Sequence, residues 1–207
     1  MLNHVALAAL CGLAFCAAAQ ADDRETGELP IAVQMYTLRN SGTLEDQLAA
    51  VQAAGITAVE TVGTQNSTAE DLAALFEKYG VEPISAHVQL AALRDDLDAV
   101  IAFHQSIGND TITVPYLTPE ARPTDAAGWT ALGEELKGIA AKLPEGMRLA
   151  YHNHDFEMVD YDGKTALEIL FDAAGADVVA ELDLAWVDRG GHDPAEYLGR
   201  FKDRVFA

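Results

Sequence analysis

The chain has 207 residues, 50% of them hydrophobic, enough to enclose one sizeable core and too apolar for a disordered chain. Its 33 acidic side chains outnumber 13 basic ones, giving a formal charge of −20, a field that repels phosphate backbones and anionic membrane surfaces. Nucleic acid is thereby excluded as an expected partner class, and the acidity reads as a soluble, secreted surface.

Residues 1–21 contain no Asp, Glu, Lys or Arg, and the apolar run from Val5 ends in Ala19-Gln20-Ala21. A small-x-small triplet after a short apolar stretch predicts a cleaved export signal, with a mature domain over residues 22–207 that is periplasmic or secreted and free of the membrane. Both cysteines, Cys11 and Cys16, fall inside the leader, so no disulfide or thiol chemistry is expected of the mature chain.

Beyond the leader, short β-branched or apolar runs alternate with longer stretches of helical period, the pattern of βαβ units in an α/β fold. Strands are predicted at Ile31–Thr37, Ile56–Val62, Pro83–Val88, Thr111–Pro115, Arg148–His152 and Val178–Asp183. The intervening helices are predicted at Thr43–Ala54, Ser67–Tyr79, Leu93–Ile107, Asp125–Leu143, Lys164–Ala174 and Asp193–Phe201. Thr43 and Ser67 each precede an acidic residue by three, the spacing of a helix-starting box, while Gly55, Gly80 and Gly108 stand where helices need a left-handed cap. Strand starts recur at close to the length of one β/α unit of a barrel. A flavodoxin-like or Rossmann-like open sheet is the competitor, but no G-x-G-x-x-G follows the first strand. No linker or low-complexity tract divides the units, so one domain is expected.

The polar residues favour the barrel, because barrel enzymes assemble their sites at the carboxyl ends of strands. The first strand closes on Gln34-Met35-Tyr36-Thr37, the second on Glu60-Thr61, the third on His87-Val88-Gln89 and the fourth on Pro115-Tyr116. The fifth runs into Tyr151-His152-Asn153-His154-Asp155-Phe156-Glu157, and the sixth into Asp183-Leu184-Ala185-Trp186. A structural strand would hand over to turn residues instead. His104 and His192 lie away from these ends and read as structural or exposed.

The motifs YHNHDFE, ELDLAWV and GHDPAEYLGRFKDRV, with VQMYTLR and ISAHVQL as weaker supports, resemble the xylose isomerase-like, sugar phosphate isomerase/epimerase TIM barrels over about Ile31 to Val205. The resemblance implies a (β/α)8 TIM barrel of which six β/α units are present, with Arg204 to Ala207 opening a seventh strand. It also implies that the site needs residues from two further units, and that this piece alone is inactive, with bare edges at its first and sixth strands. A divalent metal at the barrel mouth is implied too, with Asp183 at the sixth-strand ligand position and His152 where many members carry a Glu. A neutral imidazole suits Mn²⁺, Co²⁺ or Zn²⁺ better than Mg²⁺.

The implied chemistry is proton transfer on the carbon beside a sugar carbonyl, through an enediolate. Glu60, His154 and Glu157 are the candidate proton-transfer or hydroxyl-binding residues. Tyr36, His87, Tyr116 and Trp186 are the candidate substrate-binding residues, Trp186 by stacking on a sugar face. Dehydration of a keto-inositol or cleavage of a keto-glycoside would use the same chemistry. A non-catalytic periplasmic sugar-binding barrel is the alternative outside enzymes, and an endonuclease-IV-like phosphodiesterase is disfavoured by the charge. The expected partner is a small carbohydrate; substrate identity and oligomeric state stay open.

Overall fold

Six parallel strands in the order in which the chain makes them form the sheet of the computed structural model, which describes residues 31–207. The strands are β1 (Ala32–Gln34), β2 (Ala58–Val62), β3 (Glu82–His87), β4 (Thr111–Val114), β5 (Arg148–His152) and β8 (Val178–Glu181). Each neighbouring pair is parallel and sequential, so every connection is a β/α crossover of one kind, the winding of a barrel rather than of an open sheet that reverses direction. The predicted leader lies outside the described residues. No helix among the described residues is long and apolar enough to cross a membrane.

All six predicted strands are present: β5 with the predicted bounds, β3 shifted one residue toward the amino terminus, and the other four shorter. β1 stops at Gln34 because the chain tightens into a 3-10 turn over Met35–Leu38, and β8 stops at Glu181 because Asp183 starts a helix. The helices are α1 (Leu44–Ala53), α2 (Ala69–Tyr79), α3 (Leu90–Asp95), α4 (Leu97–Ser106), α5 (Ala126–Ala140), α6 (Ala166–Ala174), α7 (Leu184–Arg189) and α8 (Pro194–Phe201). The predicted single helix Leu93–Ile107 is two helices. Asp96 leaves helical geometry at φ −155° and its side chain accepts from Ala99 N, capping α4 and breaking the run. The cap of α2 is Thr68, bonded to Asp71 N, instead of the expected Ser67, whereas Thr43 and Asp46 form the expected reciprocal box on α1. Gly55, Gly80 and Gly108 take the expected positive φ of 76°, 61° and 78°. The sequence reading missed α7 and a small antiparallel hairpin of β6 (Asp160–Tyr161) and β7 (Lys164–Thr165) ahead of α6.

Alternate strand residues serve two layers. Val59, Ala86, Ile112, Val114, Leu149, Tyr151, Val178 and Ala180 are buried in the main hydrophobic clusters. Burying each large aliphatic side chain of such a layer contributes on the order of 2 kcal/mol. Gln34, Glu60, Ser85, His87, His152 and Glu181 line the cavity on the opposite face. α5 and α6 pack tightly at Gly133, where an added Cβ would collide with the Leu170 carbonyl oxygen and stand 2.7 Å from Ala173 Cβ.

The sixth strand is not the bare edge expected of it. Ala180 N donates to Arg204 O at 2.9 Å, and Phe206 N to Ala180 O and Leu182 N to Ala207 O at 2.8 Å each, so residues 204–207 run parallel beside it.

Candidate functional site

The carboxyl ends of the strands surround a cavity of about 830 Å³, whose lining includes Gln34, Tyr36, Glu60, His87, Tyr116, His152, His154, Glu181, Asp183 and Trp186. Of the nine catalytic, substrate-binding and metal candidates named from the sequence, only Glu157 stands outside this lining.

Strand register builds the floor. His152 is paired directly with Glu181 across β5 and β8, and its Nδ1 lies 2.8 Å from Glu181 Oε1. The same carboxylate oxygen lies 3.1 Å from His87 Nε2, which is also 2.8 Å from Glu60 Oε1. Gln34 completes the group: its amide nitrogen is 2.9 Å from His87 Nδ1, a contact that a neutral ring accepts, and a half-turn of the amide presents Oε1, which has no partner among the described residues, to the ring when it is protonated. Two imidazoles and two carboxylates are therefore interleaved below the cavity.

Their protonation is mutual. Burial is the strongest single influence on Glu60 and raises its pKa, reinforced by the neighbouring Glu181 carboxylate against the opposing His87. Burial also opposes ionisation of Glu181, but the hydrogen bonds with His152, His87 and Glu60 together hold its pKa well below the carboxylate range. For His87 burial is again the largest influence and disfavours charge, yet the contacts with Glu181 and Glu60 outweigh it and raise the pKa to about 9. The resulting order is an anionic Glu181, a cationic His87 and a Glu60 that keeps its proton more readily than an ordinary glutamate.

Asp183 follows β8 and caps α7, its Oδ1 accepting from Ala185 N at 2.9 Å and Trp186 N at 3.0 Å. Its Oδ2 remains 3.9 Å from His152 Nε2, beyond a hydrogen bond. Because Nδ1 is committed to Glu181, Nε2 is the free nitrogen, and an ion at about 2.0–2.2 Å from nitrogen and oxygen fits the gap between Nε2 and Oδ2. His87, His152 and Glu181 also present donor atoms within 4.8 Å of one another. Since His152 Nδ1 and Glu181 Oε1 are already hydrogen-bonded, the Nε2 to Asp183 gap is the better place for a cation. Glu181 Oε2, buried with no partner among the described residues, marks a second unused donor atom on the floor.

The wall is aromatic. The His154 ring lies 5.0 Å from His152, 5.1 Å from Tyr116 and 4.9 Å from Trp186, centroid to centroid. Burial drives its pKa down to about 4, so it is a neutral imidazole. Tyr36 stands 53% exposed at the rim.

Glu157, expected among the proton-transfer residues, is instead completely buried behind this wall. It accepts from Tyr151 Oη at 2.6 Å and from His154 N at 2.8 Å, so it fastens the loop that carries His154. Burial raises its pKa to about 7. His104 is buried and His192 contacts the Met158 carbonyl at 3.1 Å, both away from the cavity, as expected. Sequence reasoning missed Glu181. The available signal was its place two residues before Asp183 within the predicted strand Val178–Asp183, a spacing that turns both side chains to one face of an extended chain.

No protein-family model matches the chain, and no curated protein does. Solved structures do match. A sugar phosphate isomerase/epimerase from Parabacteroides distasonis superimposes with a TM-score of 0.72 at 18% identity, over 87% of this chain and 74% of that one. A xylose isomerase domain-containing protein from Salmonella typhimurium gives 0.65 at 13% identity, over 85% and 68%. The IolI protein, solved with a bound zinc atom, gives 0.65 at 14% identity, over 86% and 71%. These likenesses define the architecture: the described chain has the fold of the xylose isomerase-like TIM barrels, built here from six parallel strands.

Proposed function

We propose that this protein is a metal-dependent sugar isomerase or epimerase that moves a proton on the carbon next to a carbonyl. The single observation that carries the reading is the floor of the cavity, where His152 Nε2 and Asp183 Oδ2 face each other across 3.9 Å while Glu181 orients the imidazole from behind. His152 and Asp183 would hold a divalent ion, Mn²⁺, Co²⁺ or Zn²⁺ in preference to Mg²⁺, given an imidazole donor. Bound there, the ion supplies positive charge to a substrate oxygen and so favours loss of the neighbouring proton.

The protein's own groups do the rest. Glu60, whose burial favours the protonated carboxyl, is suited to exchange a proton with substrate, and His87 at 2.8 Å holds its carboxyl in place. Trp186, His154 and Tyr116 offer flat faces to the apolar side of a sugar ring and limit water in the cup. A zinc-bound neighbour of the same fold supports a metal in general. The setting we propose is outside the cytoplasm, on a scavenged or exported carbohydrate, in keeping with the leader-like first residues.

The test is incubation of the protein with Mn²⁺, Co²⁺ or Zn²⁺ and a set of ketoses in D2O, followed by NMR. Metal-dependent deuterium at the carbon beside the carbonyl, lost in Glu60→Gln, is the expected result. A product short of one water would redirect the assignment to a dehydratase. Sugar binding with no exchange under any metal, by this chain and by a form extended by two β/α units, would overturn the enzymatic reading in favour of a binding barrel.

A further inference from the structure

We infer that Arg122, on the loop after β4, is a positioning residue that sets the aromatic wall of the cavity. The inference rests on the reading of that cavity as a carbohydrate site, and Arg122 itself lines no part of it.

The geometry is a relay of flat groups. Arg122 Nη2 donates to Tyr116 Oη at 2.6 Å and Nε donates to the Leu117 carbonyl at 3.0 Å. The face of the same guanidinium covers Phe156, with Cζ 3.8 Å from the ring centroid. Phe156 is stacked on His154 at 5.6 Å with only 14° between the planes, and His154 meets Trp186 at 4.9 Å. Tyr116 stands edge-on to His154 and Phe156, at 5.1 Å and 5.8 Å. Arg122 and Phe156 form the back of this assembly, and His154, Tyr116 and Trp186 form its cavity face.

Two observations show that the stack controls the wall. The His154 ring makes no hydrogen bond among the described residues: its Nδ1 is buried without a partner, and its only bond to a side chain, to Glu157, comes from the backbone nitrogen. Contact with its aromatic neighbours is therefore what fixes the imidazole. Arg122, moreover, has no carboxylate partner among the described residues, although the chain carries 33 acidic side chains. Its charge faces rings, a hydroxyl and a carbonyl. A planar guanidinium can cover a ring with its face while its edge donates two directed hydrogen bonds; an ammonium offers no such plane.

The test uses the full chain in a Trp129→Phe background, so that Trp186 is the remaining tryptophan among the described residues. Arg122→Met and Arg122→Lys are compared with the parent by acrylamide quenching of tryptophan emission, below the melting temperature of each protein. Both substitutions are expected to increase quenching and shift the emission. Where ketose exchange is measurable, KM is expected to rise about three- to tenfold with a smaller change in kcat. If either Arg122 variant does not fold, Tyr116→Phe, which removes the hydroxyl that holds Nη2, is expected to shift quenching in the same direction. Unchanged quenching in Arg122→Met, or in Tyr116→Phe when it stands in, overturns the inference, as does full rescue by lysine. A parent without exchange activity even when extended by two β/α units would refute the proposed enzyme function, while the quenching comparison would still decide the role of Arg122.

Discussion

His152 Nδ1 lies 2.8 Å from Glu181 Oε1, and this one contact determines which imidazole nitrogen faces Asp183. A carboxylate behind a histidine fixes its tautomer and ring orientation, the arrangement found behind metal-binding histidines.

Metal binding is therefore expected to depend on both acids, in different ways. Asp183→Ala should abolish it and also cost about 1 kcal/mol through loss of the α7 cap, whereas Asp183→Asn should abolish it with most of the cap retained. Glu181→Gln should weaken it about 10- to 100-fold. Calorimetric titration with Zn²⁺ alongside thermal melts separates the effects. Stoichiometric zinc in Asp183→Ala would remove that residue from the site.

Acid sensitivity should come in part from His104. Burial depresses its pKa to about 4, and Asn109 Nδ2 contacts its Nδ1 at 3.3 Å, so the folded state holds the ring neutral. In the unfolded chain the ring titrates near 6.5, so between about pH 6.5 and 4 the unfolded state binds the extra proton. The contribution is complete above pH 6.5 and is lost as pH falls toward 4. Urea titrations at pH 7 and pH 5 should show a loss of about 2 kcal/mol from this group. In His104→Gln that part of the slope should vanish. An unchanged slope would place the acid sensitivity elsewhere.

Gly133 should tolerate no side chain. A Cβ there meets the Leu170 carbonyl and Ala173 where α5 and α6 touch, and neither backbone can yield cheaply. Gly133→Ala is expected to destabilise by about 1–3 kcal/mol despite the better helix propensity of alanine. An alanine variant melting at or above the parent temperature would mean that the two helices can separate freely. Gly138, in the same helix with open space around it, is the control: Gly138→Ala should be neutral or stabilising.

The order of the strands was legible in the sequence because local pattern dictates it: apolar runs of strand length, separated by helices with their own caps, can close only as successive β/α units. The polar residues at strand ends were legible for the same reason, and they gathered Glu60, His87, His152 and Asp183 around one cavity. Where two local signals competed, the sequence was a poor guide. Ser67 and Thr68 both satisfy the rule for a helix start, and Asp96 reads equally as a helix residue and as a cap.

Contacts between residues far apart in the chain were decided by tertiary structure alone. Glu181 belongs to the floor because β5 and β8 pair with His152 opposite it, a register that no window of sequence contains. Glu157 turned inward to Tyr151 while His154, three positions earlier, faces the cavity: the loop and 3-10 turn at Phe156–Met158 carry its carboxylate behind the wall, onto Tyr151 Oη and His154 N. Arg122 lies 34 positions from Phe156, and only the folded loops bring the guanidinium to its ring. Periodicity fixes which residues share a face within an element; register and loop conformation fix which faces meet, and those depend on the whole chain closing at once.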